Sequence, residues 1–400
     1  MRKYSVRGGN GKALVAKDGK IYVGLDVHKR TVSVAVAQAG AIVGTWTTPM
    51  DVPAVVAALS VWGGQLALIV YEAGPTGYGL ARALRRARLP VEVVAPGKTP
   101  RPANRGAKSD RLDCGELAVL AEKGLLRAVA VPTAQQEADR QVVRLRHELT
   151  DKQRRVKQQI KSLLLAYGLA EPPGLRDWTK EGVAALRTCA LGRQLRLVLD
   201  TLLGELEQLL AWREQVDQAL KRQAGERRLA VGVRRLDGHP GVGPLTAMTF
   251  AAEVYQPRRF ANGRQVTSYV GLAPRVEQSG ETRRGGPLIP AGRGRLRALL
   301  VEAAWRWVAA DPAAAATYGR LRRNTGRGQK AIVGMARRLA VHLWVMLSRR
   351  QDYRPATGGP GDRTAPLGCD GAAATSRGAA HSRRAADPSD AVLARGGRKS

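Results

Sequence analysis

Four carboxylates in this chain have the types and spacing of a divalent-metal site. Asp26 and Glu72 each end an apolar run that is typical of a buried strand, and Asp110 and Asp113 stand three residues apart where a helical segment begins. Residues at i and i+3 share one face of a helix. Two strand-end acids and a helical pair can therefore converge on one point and hold metal ions against a phosphodiester, as in-line attack on phosphate requires.

The ion that such a site predicts is Mg²⁺, with Mn²⁺ as the alternative. Mg²⁺ prefers oxygen ligands and keeps several waters, so a few Asp and Glu side chains suffice. Each acid alone has a simpler interpretation as a strand-end residue at a turn or, for Asp110 and Asp113, as a residue that stabilises a helix N-terminus. Acids are scarce, however, at 33 against 66 Lys and Arg, and four at these positions favour the metal site.

The elements that would position these acids begin with three strands and continue with alternating helices and strands. A break at residues 38–40 predicts a hairpin between the second and third strands. Three antiparallel strands followed by this alternation is the order of an α/β RNase H-like fold. The predicted strands are 21–27, 31–36, 41–46, 67–72 and 90–95, and the predicted helices are 52–62, 77–88 and 109–124.

The next region, residues 137–225, has a different, helical pattern. Apolar residues recur there at steps of three and four on both sides of a Pro-Pro-Gly break at 172–174. This period places them along one stripe of each of two long helices. Such helices form either an antiparallel hairpin or an oligomerising coiled coil, and ordinary bundle packing is an equal alternative.

These changes of pattern divide the chain into five segments. The last one has hardly any large apolar residues, so burial cannot offset the entropy that it would lose on ordering. The predicted segments are a flexible basic arm at 1–20, the acid-bearing domain at 21–136, a helical coiled-coil connector at 137–225, a mainly α C-terminal domain at 226–353 and a disordered tail at 354–400.

The charge of the chain predicts a polyanionic partner. The formal net charge is +33, and residues 226–350 carry 23 Lys and Arg against 7 Asp and Glu. Such an excess usually serves nucleic-acid binding, with an acidic protein or a membrane surface as alternatives. Three isolated cysteines without a CxxC pair argue against disulfides and structural zinc. No apolar stretch reaches 18 residues and no signal-peptide core is present, so we expect a cytoplasmic, nucleoid-associated protein without a membrane partner.

Two further motifs lie in the basic C-terminal region. The turn HPGVGP at residues 239–244 is typical of a helix-hairpin-helix element, in which Gly241 and Gly243 would let backbone N–H groups approach a phosphate. A plain Gly/Pro turn is the alternative. The second motif is the loop that holds Ser279 near Arg283 and Arg284. A serine can attack a phosphodiester if cations stabilise the developing charge, but the residues alone do not choose Ser279 over Ser268.

Together these segments resemble the DEDD-type transposases of the insertion sequence 110 family, including its 1111 branch. The likeness extends from about residue 20 to residue 350, with its motifs in the family's order and spacing. The segments that carry it are YVGLDVHK at 22–29, YEAGPTG at 71–77, KSDRLD at 108–113, HPGVGP at 239–244, GLAP at 271–274 and QSG at 278–280.

The resemblance implies a RuvC-like N-terminal domain whose acids correspond to Asp26, Glu72, Asp110 and Asp113, and a C-terminal domain whose catalytic serine falls on Ser279. Members are recombinases that insert and excise their element. In relatives a structured RNA pairs with donor and target DNA, the serine forms a covalent link to DNA, and the acids hold Mg²⁺. The site is composite between subunits, so we expect a homo-oligomer, either a dimer or a tetramer.

One departure from the family pattern stands out. Where the family usually has a Ser-Lys pair before a glycine, this chain has Ile289 and Pro290. A basic phosphate contact is lost there, and we expect three nearby arginines to replace it: Arg293, Arg295 and Arg297. Two other functions fit the same residues. One is a junction-resolvase-like nuclease that uses the acids without the serine, and the other is a catalytically inactive nucleic-acid-binding protein.

Overall fold

The computed structural model describes residues 3–8, 11–16, 19–100, 110–279, 282–288 and 292–355. Side chains are described from residue 19 onward, except for residues 98, 110–112, 276–285 and 287. The predicted disordered tail therefore lies outside the described residues from position 356 on, and its disorder stays a prediction.

Two short strands come first. β1 (Lys3–Gly8) pairs antiparallel with β2 (Gly11–Ala16). The sequence predicted only a flexible arm over residues 1–20, so this hairpin is a correction. Tyr4 and Val6 alternate with polar residues, and Gly and Asn separate the strands, which is a hairpin pattern. Two strands of six residues give too short a pattern to stand out in a basic arm.

A mixed six-stranded sheet forms the centre of the N-terminal part. β3, β4 and β5 are antiparallel neighbours, β3, β6 and β7 run parallel, and β8 pairs antiparallel with β7, in the order β5-β4-β3-β6-β7-β8. This agrees with the predicted strand order and is consistent with an RNase H-like fold; the two-residue β8 was not predicted. The strands are β3 (Ile21–Val27), β4 (Thr31–Gln38), β5 (Ala41–Pro49), β6 (Leu66–Glu72), β7 (Val91–Val94) and β8 (Ala128–Val129).

Helices cover both faces of this sheet. On one face, α1 (Val52–Ser60) and α2 (Gly79–Arg86) bury every second residue of β3: Ile21, Val23 and Leu25. On the other face, α3 (Asp110–Glu122) packs its Leu117 and Ala121 against β6 and β7. The predicted helices 52–62, 77–88 and 109–124 are thus present, within a few residues at their ends.

Gly24 controls how closely α3 approaches the sheet. Successive side chains along a strand point to opposite faces, so Gly24, between Val23 and Leu25, lies on the face that α3 covers. A Cβ atom at position 24 would lie 2.0 Å from the carbonyl oxygen of Cys114 and 2.7 Å from the amide nitrogen of Ala118. Only a residue without a side chain permits this contact between strand and helix backbones.

A helical connector follows the sheet. Its long helices are α4 (Ala134–Ala166) and α6 (Arg193–Ala224), with the short α5 (Lys180–Thr188) between them. The two long helices were predicted and α5 was not. α5 begins at a local signal, because the Thr179 side chain caps it by accepting a hydrogen bond of 3.1 Å from the Gly182 amide.

The two long helices pack antiparallel. Gln223 Nε2 donates to Asp139 Oδ1 at 2.7 Å, and further along Gln153 Nε2 donates to the Leu209 carbonyl at 2.9 Å. Residue numbers thus rise along α4 as they fall along α6. The apolar stripes meet in one cluster, which includes Leu149, Val156, Ile160, Leu199, Leu203 and Leu206. The antiparallel hairpin is therefore the alternative that the structure shows, while coiled-coil packing stays a prediction.

The C-terminal part is mainly helical, as predicted, and also contains a β-hairpin that was not predicted. The hairpin strands are rich in Gly, Arg and Pro rather than β-branched residues, so their composition gives a weak strand signal. The elements are α7 (Arg227–Asp237), α8 (Pro244–Val254), α9 (Gly263–Tyr269), β9 (Pro274–Ser279), β10 (Thr282–Leu288), α10 (Gly294–Ala310), α11 (Pro312–Thr325) and α12 (Gly328–Arg349).

α12 is the central helix of this C-terminal part. Its buried stripe, which includes Ile332, Met335, Leu339 and Leu343, belongs to the same apolar cluster as Phe250 of α8. Among the described helices, α12 alone is long and apolar enough to cross a membrane, with a mean hydropathy of 1.3. Half of its most apolar stretch is buried within the protein. Such burial is the property of a core helix.

We predict that Gly24→Ala destabilises the N-terminal part, because the added methyl group would overlap the backbone of α3. Overpacking of this kind typically costs about 1–3 kcal/mol. Urea unfolding measures the loss. Gly115→Ala is the matched control, because a Cβ at that helical position would meet only Ile42 at an ordinary 3.7 Å, so it should be neutral or stabilising. Equal stabilities of the two variants would contradict the prediction.

Candidate active site and nucleic-acid interface

Asp26 and Glu72 lie side by side on two neighbouring parallel strands. The register of β3 and β6 pairs Leu25 with Tyr71, so Asp26 and Glu72 are the next residues along each strand. Parallel strands lie about 4.8 Å apart, and paired residues point to the same face. Because Asp26 is two residues from Gly24, both carboxylates project on the face that α3 covers.

Two acids of α3 face the same place. Asp113 and Glu116 stand one turn apart on the helix and line the same cavity as the strand-end acids. The close contact at Gly24 brings this first part of α3 over β3. Asp110 is the first residue of α3, but its side chain lies outside the described residues. The structure therefore brings together three of the four predicted acids, and adds Glu116.

The cavity that these acids share has a volume of about 850 Å³. Each strand-end acid also has a partner at its rim. A ring nitrogen of His28, Nε2, lies 3.1 Å from Oδ2 of Asp26, and the Thr99 hydroxyl donates to Oε1 of Glu72 at 2.9 Å. These hydrogen bonds restrict the rotation of both carboxylates.

The donor set of the cavity suits a hard divalent cation, because carboxylate oxygens are the ligands that Mg²⁺ and Mn²⁺ prefer. Among the side chains that the structure describes, no three of His, Cys, Asp and Glu stand close enough together to form a metal site. The side chain of Asp110 is not among those described. The acids that line the cavity fit a divalent metal by the chemistry of their donors, and ligation by Asp26, Glu72, Asp110 and Asp113 stays a prediction.

A buried thiol lies beneath the acids. Burial first, and then the nearby charges of Asp26 and Asp113, raises the pKa of Cys114 to about 11. The thiol therefore stays protonated near neutral pH, and a protonated thiol is neither a nucleophile nor a good metal ligand. Cys114 serves to pack α3 against the sheet.

Ser279 is the last residue of β9, at the end where the chain turns back into β10. The register pairs it with Thr282. The sequence placed Ser279 in a loop, so its position in a strand is a correction. Its side chain, like those of Arg283 and Arg284, lies outside the described residues, and its role stays a prediction. The alternative, Ser268, is exposed in the last turn of α9.

Glu253 was missed by the sequence analysis. Its side chain is only 6% exposed and lies between two arginines. Arg144 of α4 donates to it from Nε at 2.9 Å and from Nη2 at 3.2 Å, and Arg293 Nε lies 3.3 Å from Oε2. A carboxylate buried at this depth needs such partners. The available signal was an acid within the otherwise apolar run of α8. Glu253 joins α4, α8 and the start of α10.

The other two arginines at the start of α10 also make contacts within the chain. Arg295 Nη2 lies 3.1 Å from Asp151 Oδ2, and Arg297 Nη1 donates to the Gly271 carbonyl at 3.2 Å. The predicted substitutes for the missing Ser-Lys pair thus hold the segment after β10 in place. Their contact with nucleic acid stays a prediction.

The turn between α7 and α8 places its two glycines in different surroundings. Gly241 has φ +82°, and a Cβ there would lie 2.4 Å from the Trp307 amide nitrogen, so Gly241 packs against α10. Gly243 is the N-cap of α8, and no described atom lies within 4 Å of a Cβ built there. Two helices joined by a short turn are present, and the use of this turn as a phosphate-binding helix-hairpin-helix element stays a prediction.

A buried histidine, His239, and a half-buried one, His342, pack at this turn. The His239 ring is 1% exposed, and its centroid lies 5.0 Å from that of Trp307 and 4.2 Å from that of Tyr353. The ring centroid of His342, on α12, lies 5.1 Å from that of Trp307. Burial lowers the pKa of both His239 and His342 to about 4. Both rings are therefore neutral near pH 7 and act as packing residues.

Both halves of the chain match models of one family. A model described as a transposase, of the DEDD type of IS110 elements, matches residues 23–168, and one described as "Transposase IS116/IS110/IS902 family" matches residues 233–319. The protein y4qE of Sinorhizobium fredii, named as a transposase, is 34% identical over 305 residues, which cover 74% of this chain and 74% of that relative. The chain belongs to the IS110 family of DEDD transposases.

More distant relatives agree with this assignment. The transposase for insertion sequence element IS1111A of Coxiella burnetii is 26% identical over 275 residues, 66% of this chain and 73% of its own. The transposase for element IS1533 of Leptospira borgpetersenii is 26% identical over 300 residues, with coverages of 72% and 85%. The transposase is therefore a DNA-binding recombination enzyme. Divalent metal ions, which DEDD domains typically use, suit the donors of its cavity.

We predict that the transposase loses stability as the pH falls from about 6.5 to about 4. The folded state holds His239 and His342 neutral, whereas the unfolded chain binds protons near the ordinary histidine pKa of 6.5. Unfolding is therefore favoured as the pH falls through this window. Urea unfolding at several pH values measures the slope. His342→Phe keeps a ring against Trp307 and removes one of three histidines whose pKa burial lowers, the third being His147, so its slope should be shallower than that of the wild type. Equal slopes would contradict the prediction.

Proposed function

We propose that this transposase cuts DNA strands at the acid cavity and rejoins them through a covalent link to Ser279. The observation that carries the proposal is the convergence of Asp26, Glu72 and Asp113 on one cavity at the ends of parallel strands. Asp110, one helical turn before Asp113, completes the four carboxylates. Membership of the DEDD family supports the assignment of these acids, and the family likeness alone supports the serine.

The acids would hold Mg²⁺, or Mn²⁺, which when bound neutralises the scissile phosphate and stabilises its negative charge in the transition state. The protein prepares the ligands for this role. His28 and Thr99 each hold one oxygen of a strand-end carboxylate, which orients Asp26 and Glu72 at the edge of the cavity. Such outer contacts orient metal ligands and tune their affinity.

The proposed chemical step transfers a DNA strand to the serine. The Ser279 hydroxyl loses its proton to a base, its Oγ forms a bond to phosphorus, and the bond from phosphorus to the leaving deoxyribose oxygen breaks as that oxygen takes up a proton. Attack by a hydroxyl of another strand reverses these bonds, joins the strands and frees the serine. Guanidinium groups near the phosphate, for which Arg283 and Arg284 are placed in β10, would stabilise the developing charge.

The assembly that we propose follows the family. The serine and the acids come from different subunits of a dimer or tetramer, and a structured guide RNA pairs with donor and target DNA. The net charge of +33 supports contact with both polyanions. The turn at Gly241 and Gly243 would act as a helix-hairpin-helix contact with backbone phosphates, with the arginines after Ile289 and Pro290 beside it. We place the protein in the cytoplasm, associated with the nucleoid.

The domain limits follow from the same proposal. Residues 21–136 would form the RuvC-like domain, 137–225 a connector with coiled-coil packing, and 226–353 the C-terminal transposase domain. The arm at 1–20 and the tail at 354–400 would lie outside them. Ion pairs join these segments. Arg82 pairs with Glu137 between the first domain and the connector, and the connector pairs with the C-terminal domain through Asp139–Arg228, Asp151–Arg295 and Arg144–Glu253.

We predict that Asp26→Asn and Glu72→Gln each abolish strand cutting and leave DNA binding within about twofold, because they remove metal ligands and hardly change the net charge of +33. Calorimetry with Mn²⁺ should show weaker metal binding in both. Glu205→Gln, an exposed acid on α6, is the control and should behave as wild type. Cutting that survives in both cavity variants would remove these acids from their role.

We predict that Ser279→Ala abolishes the covalent protein–DNA adduct and leaves non-covalent binding intact, since only the nucleophile is lost. Denaturing gels with labelled DNA detect the adduct. Ser268→Ala, at the exposed rival serine, is the matched control and should keep it. An adduct that disappears only in the Ser268 variant would transfer the role to that residue. Cutting without any adduct, unaffected by Ser279→Ala, would indicate a metal-dependent nuclease instead.

A further inference from the structure

The tip of the α11–α12 hairpin carries a cluster of cations that the function above does not use. Five of them lie within eleven residues, all are exposed, and none makes an ion pair with another residue in the described part of the chain. We call this cluster the basic tip. It consists of Arg320, Arg322, Arg323, Arg327 and Lys330.

The charge of the basic tip is not neutralised by neighbours in sequence. Residues 312–351 contain nine Lys and Arg and no Asp or Glu. The acids at the two ends of this stretch are already engaged. Asp311 accepts hydrogen bonds from the Ala313 and Ala314 amides as the N-cap of α11, and Asp352 pairs with Arg235 at 2.8 Å. A concentration of like charge this dense destabilises the fold unless an anion offsets it.

The basic tip is held in a defined shape. Gly326 ends α11 in the left-handed conformation, with φ +65°, and its amide donates to the Arg322 carbonyl at 2.9 Å. The Thr325 hydroxyl donates to the Leu321 carbonyl at 2.8 Å. A Cβ on Gly334 would lie 3.2 Å from the Leu321 side chain, so α11 and α12 pack closely just behind the tip. The cations thus project from a rigid base.

An exposed aromatic pair lies beside the basic tip. Trp305 of α10 is 47% exposed, and its ring lies 5.5 Å from that of Tyr318 in an edge-to-face contact. Tyr318 reaches the first residue of α12, because a Cβ built on Gly328 would lie 3.1 Å from its hydroxyl oxygen. The aromatic pair and the cations on either side of Gly328 therefore form one continuous surface.

We propose that the basic tip binds single-stranded DNA, with its cations on the phosphates and Trp305 stacked on an unpaired base. Proteins that bind single strands independently of sequence place cations along the phosphate backbone and stack exposed aromatic rings on the bases. A duplex keeps its bases stacked and would leave Trp305 without a role, and an acidic protein would need only the cations and not the exposed ring. DNA is the nucleic acid on which a transposase acts.

This inference goes beyond the proposed function, because the basic tip contains neither the acids nor the hairpin of Ser279. Its five cations also lie past the part of the chain that the C-terminal family model matches, which ends at residue 319, whereas Trp305 lies within that part. The basic tip would hold an unpaired strand while another part of the protein acts on DNA.

The test uses the full chain and fluorescently labelled oligonucleotides over a range of salt concentrations. We expect Arg323→Gln/Arg327→Gln/Lys330→Gln to lower the slope of log affinity against log salt by about 2 for single-stranded DNA, since each phosphate contact contributes about 0.7. Arg86→Gln/Lys123→Gln/Arg127→Gln, which removes the same charge from exposed positions of the N-terminal part, should change it little. An equal change in both triple variants would overturn the proposal.

A second variant tests the stacking contact separately. Trp305→Leu should weaken single-stranded DNA binding about tenfold and leave a duplex of the same sequence within about twofold, as expected for a stacked base. Far-UV circular dichroism and thermal unfolding check that the exposed substitution leaves the fold intact. Equal losses on duplex and single strand, or tighter binding of the matching RNA than of DNA, would overturn it.

Discussion

The backbone contact between β3 and α3 at Gly24 is the constraint on which the acidic site depends. A side chain at this position would collide with the Cys114 carbonyl, so a larger residue would push α3 away from the sheet. With Gly24 in place, the first part of α3 lies over the ends of the parallel strands. Asp113 then faces the cavity that Asp26 and Glu72 share. Convergence of like charges is unfavourable by itself, and a divalent cation offsets it.

A second set of contacts joins the connector to the C-terminal part, and it relies on arginine rather than on apolar packing alone. The Arg259 guanidinium lies 4.5 Å from the ring centroid of Tyr255 and 4.4 Å from that of Tyr269. Arg140 of α4 lies 4.9 Å from the Tyr255 ring, and the Tyr255 hydroxyl donates to the Ala130 carbonyl at 2.8 Å. Stacking on aromatic rings offsets part of the cost of burying a planar cation.

Arginine thus has two separate uses in this transposase. Where an acid or an aromatic ring is near, as for Arg144 and Arg293 around Glu253, it fastens elements together. Where acids are absent, as around Arg323 and Arg327, it stays exposed and available to a polyanion. Whether an arginine joins elements or stays exposed thus depends on the acids and aromatic rings near it. The net charge of +33 alone therefore overstates the surface that can contact nucleic acid, since part of the arginine content is structural.

The sequence by itself determined the strand order, the long helices and the position of Asp26 and Glu72 at strand ends, because apolar periodicity reports local structure directly. It also pointed to Asp113 through its spacing from Asp110. It did not predict the hairpin of β9 and β10, whose residues have weak strand propensity. Only the tertiary structure decided how closely the predicted helix α3 approaches the acids, that Glu116 joins them, and that Arg293 faces a buried carboxylate. Period two shows that Asp26 shares a face with Gly24, but the packing of a helix on that face depends on contacts far apart in the chain, and these leave no local pattern.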